Sequence, residues 1–157
     1  FRRYILIVII VTVLTGILQA QGYQKTDLGI KSTINAIDVE IQFYSPSIVR
    51  VLKSPEGRTY EKNSLSVILD PKKTDFEISR SGDELSLISK NIKVNMDLKN
   101  GKISFFTFSR KLLLNEKKDS AVFTDFDDTG VKTYSVSQSF VLDKDESIYG
   151  LLSLIHI

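Results

Sequence analysis

Hydrophobic and polar positions alternate with period two along most of this chain, and no long segment carries the 3.6-residue period of an amphipathic helix. Ile37, Val39, Ile41 and Phe43 alternate with Asp38, Glu40 and Gln42, which gives an extended strand one apolar and one wet face. Tyr44-Ser45-Pro46-Ser47 interrupts that run, and residues 48–52 start another that ends at Ser54-Pro55-Glu56-Gly57, so two strands joined by a turn are expected. Residues 65–69 form a further apolar run closed by Asp70-Pro71, and residues 76–79 and 85–88 bracket a turn over 80–84. Ile92, Val94, Met96 and Leu98 then alternate with Lys93, Asn95 and Asp97 up to Asn100-Gly101, a pair that tolerates the positive φ angles of a tight hairpin turn. The returning arm, 103–108, carries Phe105, Phe106 and Phe108; adjacent phenylalanines present aromatic surface on both faces, so this arm is expected to be covered on both sides.

A polar stretch, 115–120, and a loop, 125–130, precede the last alternating run, in which Tyr134, Val136, Phe140 and Leu142 share a face and Phe140 and Leu142 close the core. Gln138 lies on the same face and needs a hydrogen-bond partner if buried. Many short strands separated by turn residues, without helices or internal repeats, predict an all-β fold: one antiparallel β-sandwich over residues 23–150.

The first 22 residues are different. Arg2 and Arg3 precede an unbroken run of aliphatic and small residues, 5–18, and then Gln19-Ala20-Gln21-Gly22, the layout of a helical secretory signal peptide at 1–22. That run is shorter than the roughly 20 residues of a spanning helix, so no stable membrane span is expected after cleavage, and the mature protein is expected to be exported to the periplasm or the extracellular space. The absence of cysteine excludes disulfides, thiolate metal sites and a lipid-modified cysteine. Without Arg2 and Arg3, 19 basic residues balance the 19 acidic ones, and a neutral domain has little counterion release with which to hold a nucleic acid.

Candidate chemistry is sparse. Asp125, Asp127 and Asp128 open like a D-x-D-x-x-G calcium loop, but the twelfth position is Val136 rather than a carboxylate, so a solvated loop is expected and no metal. Asp143, Asp145 and Glu146 lie in a polar turn rather than facing one another across a substrate bond. The single histidine, His156, sits in an atypical tail, so no Ser-His-Asp site has a base. Nothing points to a cofactor. Phe105, Phe106, Phe108, Tyr134 and Tyr149 are the candidates for a sugar-stacking platform; for the phenylalanines, core packing is the simpler expectation.

Three stretches carry a resemblance. The segment VEIQFYSPSIVRV, the hairpin IKVNMDLKNGKI and above all SFVLDKDESIYG, with its F-x-L-x-x-x-E-x-I-Y-G spacing, resemble the N-terminal galactose mutarotase-like sandwich of glycoside hydrolase family 31, especially its exported α-xylosidases and α-glucosidases. The resemblance covers about 38–150. It implies an oligosaccharide substrate held by a catalytic barrel that follows the sandwich, with both catalytic aspartates on that barrel, so no catalytic residue is expected here. Tyr149 and Gly150 are expected at the rim of the substrate pocket. After Leu151 the pattern departs from the family: Leu152-Ser153-Leu154-Ile155-His156-Ile157 resembles translated sequencing-adapter DNA, so 151–157 is expected to be a non-native tail on a truncated frame. The absence of an initiating methionine suggests a frame clipped at its start too. The alternative expectations are a free-standing carbohydrate-binding or surface-interaction sandwich, and an envelope protein anchored by 5–18.

Overall fold

The computed structural model describes residues 22–58 and 69–144; the signal segment, the run at 65–68, Asp145, Glu146, Tyr149, Gly150 and the tail lie outside the described residues. The described residues form ten strands in two antiparallel sheets, with no helix. The first sheet is a meander of β1 (Gln24–Lys25), β2 (Gly29–Ile34), β3 (Ile37–Ser45) and β4 (Ile48–Pro55). The second runs, again in consecutive order, through β5 (Glu77–Ser81), β6 (Glu84–Ile88), β7 (Ile92–Asp97), β8 (Ile103–Thr107), β9 (Leu112–Asp128) and β10 (Val131–Val141).

Alternation decides which face each strand buries. Val39, Ile41 and Phe43 of β3 point inward with Ile30 and Ile34 of β2, and they meet Leu85, Leu87, Val94, Met96 and Ile103 of the second sheet in one cluster. The register aligns these residues across each ladder: Ile30 opposes Ile41, Leu85 opposes Met96, Leu87 opposes Val94 and Met96 opposes Ile103. Cross-strand apolar pairs of this kind are the unit of sheet stabilisation. Gly29 is required where β2 approaches β3, since a Cβ there would fall on the Ile41 carbonyl.

The hairpin of β7 and β8 forms as expected, but through a longer loop than a two-residue Asn-Gly turn. Met96 and Ile103 are the last ladder pair, and Asp97 and Lys102 close the loop through Asp97 N donating to Lys102 O at 2.9 Å. The Asp97 carboxylate accepts from Lys99 N and Asn100 Nδ2, so among the loop residues only Gly101, at φ 68°, needs the left-handed region. β8 is less covered than its phenylalanines suggest: Phe105 and Phe106 are half-buried, and Phe108, just beyond the strand, is 68% exposed.

Three expectations about the C-terminal third are corrected. Residues 115–120 and 125–128 belong to one 17-residue strand, β9, and the turn between β9 and β10 is the dipeptide Thr129-Gly130, both at positive φ. Two adjacent left-handed residues give the hairpin turn whose twist suits its strands. Phe140 and Leu142 do not close the core; they are 44% and 46% exposed, because beyond Glu116 the strand β9 pairs, among the described strands, with β10 alone and leaves the body of the second sheet.

The β4 exit is tied back by Asp38, whose carboxylate accepts from Thr33 Oγ1 at 2.6 Å and from Gly57 N at 2.9 Å. The Thr33 hydroxyl, then the Gly57 amide, hold its pKa below the ordinary 3.8, against an opposing effect of burial that exceeds the small contribution of Lys31. A carboxylate depressed in the folded state contributes stability that is complete above its unfolded pKa and is lost as pH falls through the folded value. The Asp38→Asn variant should therefore be less stable than the wild type by on the order of 0.5 kcal/mol at pH 6. Chemical denaturation at several pH values should show that gap closing as pH falls below about 4.

Candidate functional site

The described residues bring no set of catalytic groups together. Asp125, Asp127 and Asp128 lie in the exposed end of β9; Asp127 is engaged locally, its Oδ1 accepting from Gly130 N at 2.6 Å. Among the described residues no group of three His, Cys, Asp or Glu side chains is placed to hold a metal. Asp143 is exposed after β10. Of the aromatic candidates, Tyr134 is half-buried, edge-on to Phe123 at 6.3 Å and beneath the Arg58 guanidinium at 6.0 Å, and it does not share a platform with Phe105 or Phe106.

Two features stand out instead, and they adjoin. One is a buried polar anchor. Lys53 opposes Val39 in the β3–β4 ladder and so follows Val49 and Val51 onto the inward face of β4, while Glu116 follows Leu112 and Leu114 along β9. Their charged ends meet between the sheets, Lys53 Nζ to Glu116 Oε2 at 2.6 Å, with side chains only 9% and 5% exposed. Burying two charges is tolerable only when each is paired and hydrogen-bonded, and both are. Lys53 also donates to Gly101 O at 3.1 Å, while Glu116 Oε2 accepts from Ile103 N at 2.8 Å and Glu116 Oε1 accepts from Gln138 Nε2 at 2.8 Å. One carboxylate thus ties together β4, β8 and β10. Gln138, flagged by the sequence as needing a partner, donates to Ser120 Oγ as well, at 2.9 Å.

The anchor coincides with an irregularity in β9. Gln138 opposes Ala121 but Phe140 opposes Glu116, so residues 117–120 face the single Ser139, with Asp119 at φ 52°. Such a bulge bends its strand and re-aims the residues beyond it. A small cleft of about 60 Å³ lies here, lined by Lys53, Asn100, Gly101, Asp119, Ser120 and Ala121 among others. It is far below the several hundred Å³ of a typical small-molecule site.

The second feature is the hairpin that leaves the anchor. Its strands carry Leu113, Val122, Phe126, Val131, Val136, Phe140 and Val141, all between 44% and 65% exposed. By the register Val122, Phe126, Val131 and Val141 lie on one face of the hairpin and Val136 and Phe140 on the other, so both faces present exposed apolar side chains, which is a mark of contact surfaces. The sequence held a signal for the anchor, a lysine and a glutamate at inward positions of two apolar alternations, but period-two reading alone does not pair them across 63 residues.

Comparison with known proteins gives a consistent picture. Residues 38–151 match the family described as the glycosyl hydrolase 31 N-terminal galactose mutarotase-like domain. An alpha-glucosidase 2 of Bacillus thermoamyloliquefaciens is 29% identical over 86 residues, 55% of this chain and 11% of that protein. An alpha-xylosidase of Saccharolobus solfataricus is 29% identical over 119 residues, 75% of this chain and 16% of that protein. Among solved structures, a family 31 alpha-xylosidase from Xanthomonas citri superposes with a TM-score of 0.71 at 24% identity, over 78% of this chain and 14% of the other, a likeness of fold. The chain therefore spans about a tenth to a sixth of the length of these relatives.

Proposed function

The chain belongs to the glycosyl hydrolase 31 N-terminal galactose mutarotase-like domain family, and we propose that it is the non-catalytic β-sandwich of a longer, exported α-glycosidase acting on α-xylosyl or α-glucosyl ends of oligosaccharides. The observation that carries this reading is the pairing of a complete two-sheet core with an apolar hairpin that the core does not cover. A domain whose work is to support another needs such a surface, and retaining hydrolysis needs two carboxylates held about 5 Å apart. Among the described residues Asp97, Glu116 and Asp38 are engaged in a turn, a core anchor and a surface contact instead. The substrate preference comes from the names of the relatives, an alpha-glucosidase and an alpha-xylosidase. In this reading β9 and β10 pack on the remainder of the enzyme, and Tyr149 and Gly150, which come after β10, lie at the rim of its substrate pocket.

The test is direct. The purified chain is expected to release no chromophore above buffer from aryl α-xyloside or aryl α-glucoside. Turnover that tracks with the protein through purification would overturn the non-catalytic assignment. Heat released on titration with oligosaccharides of xylose or glucose would favour the carbohydrate-binding module instead.

A further inference from the structure

An asparagine side chain is open to attack by the backbone nitrogen of the residue after it, and most open when that residue is glycine, which puts no Cβ in the way. This sequence has six asparagines and one such pair, Asn100-Gly101; the other five are followed by alanine, serine, isoleucine, methionine and glutamate. The chemistry is a cyclisation followed by hydrolysis. Gly101 N gives up its proton and bonds to Asn100 Cγ, the Cγ–Nδ2 bond breaks, and Nδ2 leaves as ammonia with that proton. Water then adds to one or the other carbonyl of the five-membered imide, which opens to aspartate or isoaspartate. No cofactor or oxidant is consumed.

The loop between β7 and β8 engages each group of that reaction. Gly101 N donates to Asp97 O at 2.8 Å, so the nucleophile is committed to the loop's own backbone. Asn100 Nδ2 donates to Asp97 Oδ2 at 2.7 Å, and Asn100 Oδ1 accepts from Lys102 N at 2.9 Å. Both ends of the side-chain amide are thereby fixed, and with them the carbon that would be attacked. Asp97 is held in turn by Lys99 N, which donates to its Oδ1 at 2.8 Å. Two contacts from the first sheet close the loop from outside: Asn35 Nδ2 donates to Lys99 O at 3.2 Å, and Lys53 Nζ donates to the carbonyl of the buried Gly101 at 3.1 Å. Bringing Gly101 N onto Asn100 Cγ breaks the hydrogen bonds of both groups, so the reaction draws on the molecules whose loop has opened.

We propose that Asn100 is a deamidation site gated by the fold: the closed loop protects it, and opening of the loop converts it, one way, to aspartate or isoaspartate. The products do not fit the closed loop. Aspartate replaces the Nδ2 donor with a carboxylate oxygen facing Asp97 Oδ2, and isoaspartate adds a backbone atom next to the Gly101 carbonyl that Lys53 holds. Conversion therefore marks chains that have been open. The inference rests on this loop and is independent of the function proposed above. The test incubates the full chain in mildly alkaline buffer, with and without urea, and follows the amide-to-acid mass gain at each asparagine by peptide mass spectrometry. In urea Asn100 is expected to convert first among the six, and in buffer it should convert slower by roughly tenfold or more, since only the opened fraction reacts. The D97A variant, checked for its fold by circular dichroism, removes the acceptor of Asn100 Nδ2 and should convert faster than the wild type in buffer. Equal rates with and without urea, another asparagine leading in urea, or a folded D97A no faster than the wild type would each overturn the proposal.

Discussion

Replacing Glu116 with alanine is expected to cost about 3–5 kcal/mol of folding stability, because it strands the Lys53 ammonium between the sheets without a counter-charge. It also leaves Ile103 N without the acceptor that Glu116 Oε2 provides and removes one of the two partners of Gln138 Nε2. Urea denaturation measures the loss. The cost reflects breaking the pair, not the worth of having one: desolvating two ions largely offsets their attraction, so the double variant K53M/E116L should recover most of the loss and lie within about 2 kcal/mol of the wild type. A double variant as unstable as Glu116→Ala would mean that the network contributes through its hydrogen bonds to Ile103 and Gln138. Hydrogen exchange separates the two effects, since amides of residues 117–120 and of β10 near Gln138 should lose protection in both variants if the carboxylate sets the hairpin against the core.

The second large effect is expected at Phe43. Its side chain is 0% exposed, stacks on Phe76 with ring centroids 5.3 Å apart and an interplanar angle of 23°, and sits at the centre of the cluster that joins the sheets. Truncation to alanine removes the buried ring and leaves a cavity that strands on two sides hold open, which puts the cost at about 3–5 kcal/mol. For a domain of this size that lowers Tm by roughly 10–20 °C. Phe76→Ala should cost less, because Phe76 is only half-buried and lies before β5 begins. Calorimetry of the two variants gives the ranking; a larger loss at Phe76 would mean that the stack rather than the inter-sheet contact dominates.

The part of the fold that is legible in the sequence is the part that alternation encodes. Period two reports which residues share a face, so Val39, Ile41 and Phe43, and Val94 and Met96, take inward positions that the core confirms. It does not report what, if anything, covers a face. Phe140 and Leu142 alternate as core residues do, yet the hairpin carries them away from the body of the sheet. The strand β9 is hidden for another reason: Lys117, Lys118, Asp119 and Ser120 read as a loop because they form the bulge, where ladder spacing no longer applies. β2 escapes the same reading because Gly29, Lys31, Ser32 and Thr33 leave only Ile30 and Ile34 as apolar signals, and its turn, Asn35-Ala36, places an alanine at φ 60° against the usual preference. The family resemblance over about 38–150 agrees with the matched span of 38–151. The rim residues expected from it, Tyr149 and Gly150, fall beyond the described residues.

The strictly consecutive order of strands within each sheet has a consequence for synthesis. The first sheet is complete once Pro55 has left the ribosome, but the residues that cover Ile30, Ile41 and Phe43 run on to Ile103, roughly 50 residues later. At about 5–20 residues per second that interval lasts several seconds, against microseconds for hairpin closure. Until Ile103 is made, the apolar face of β2 and β3 has no partner from the second sheet, so any sheet formed by then presents that face bare.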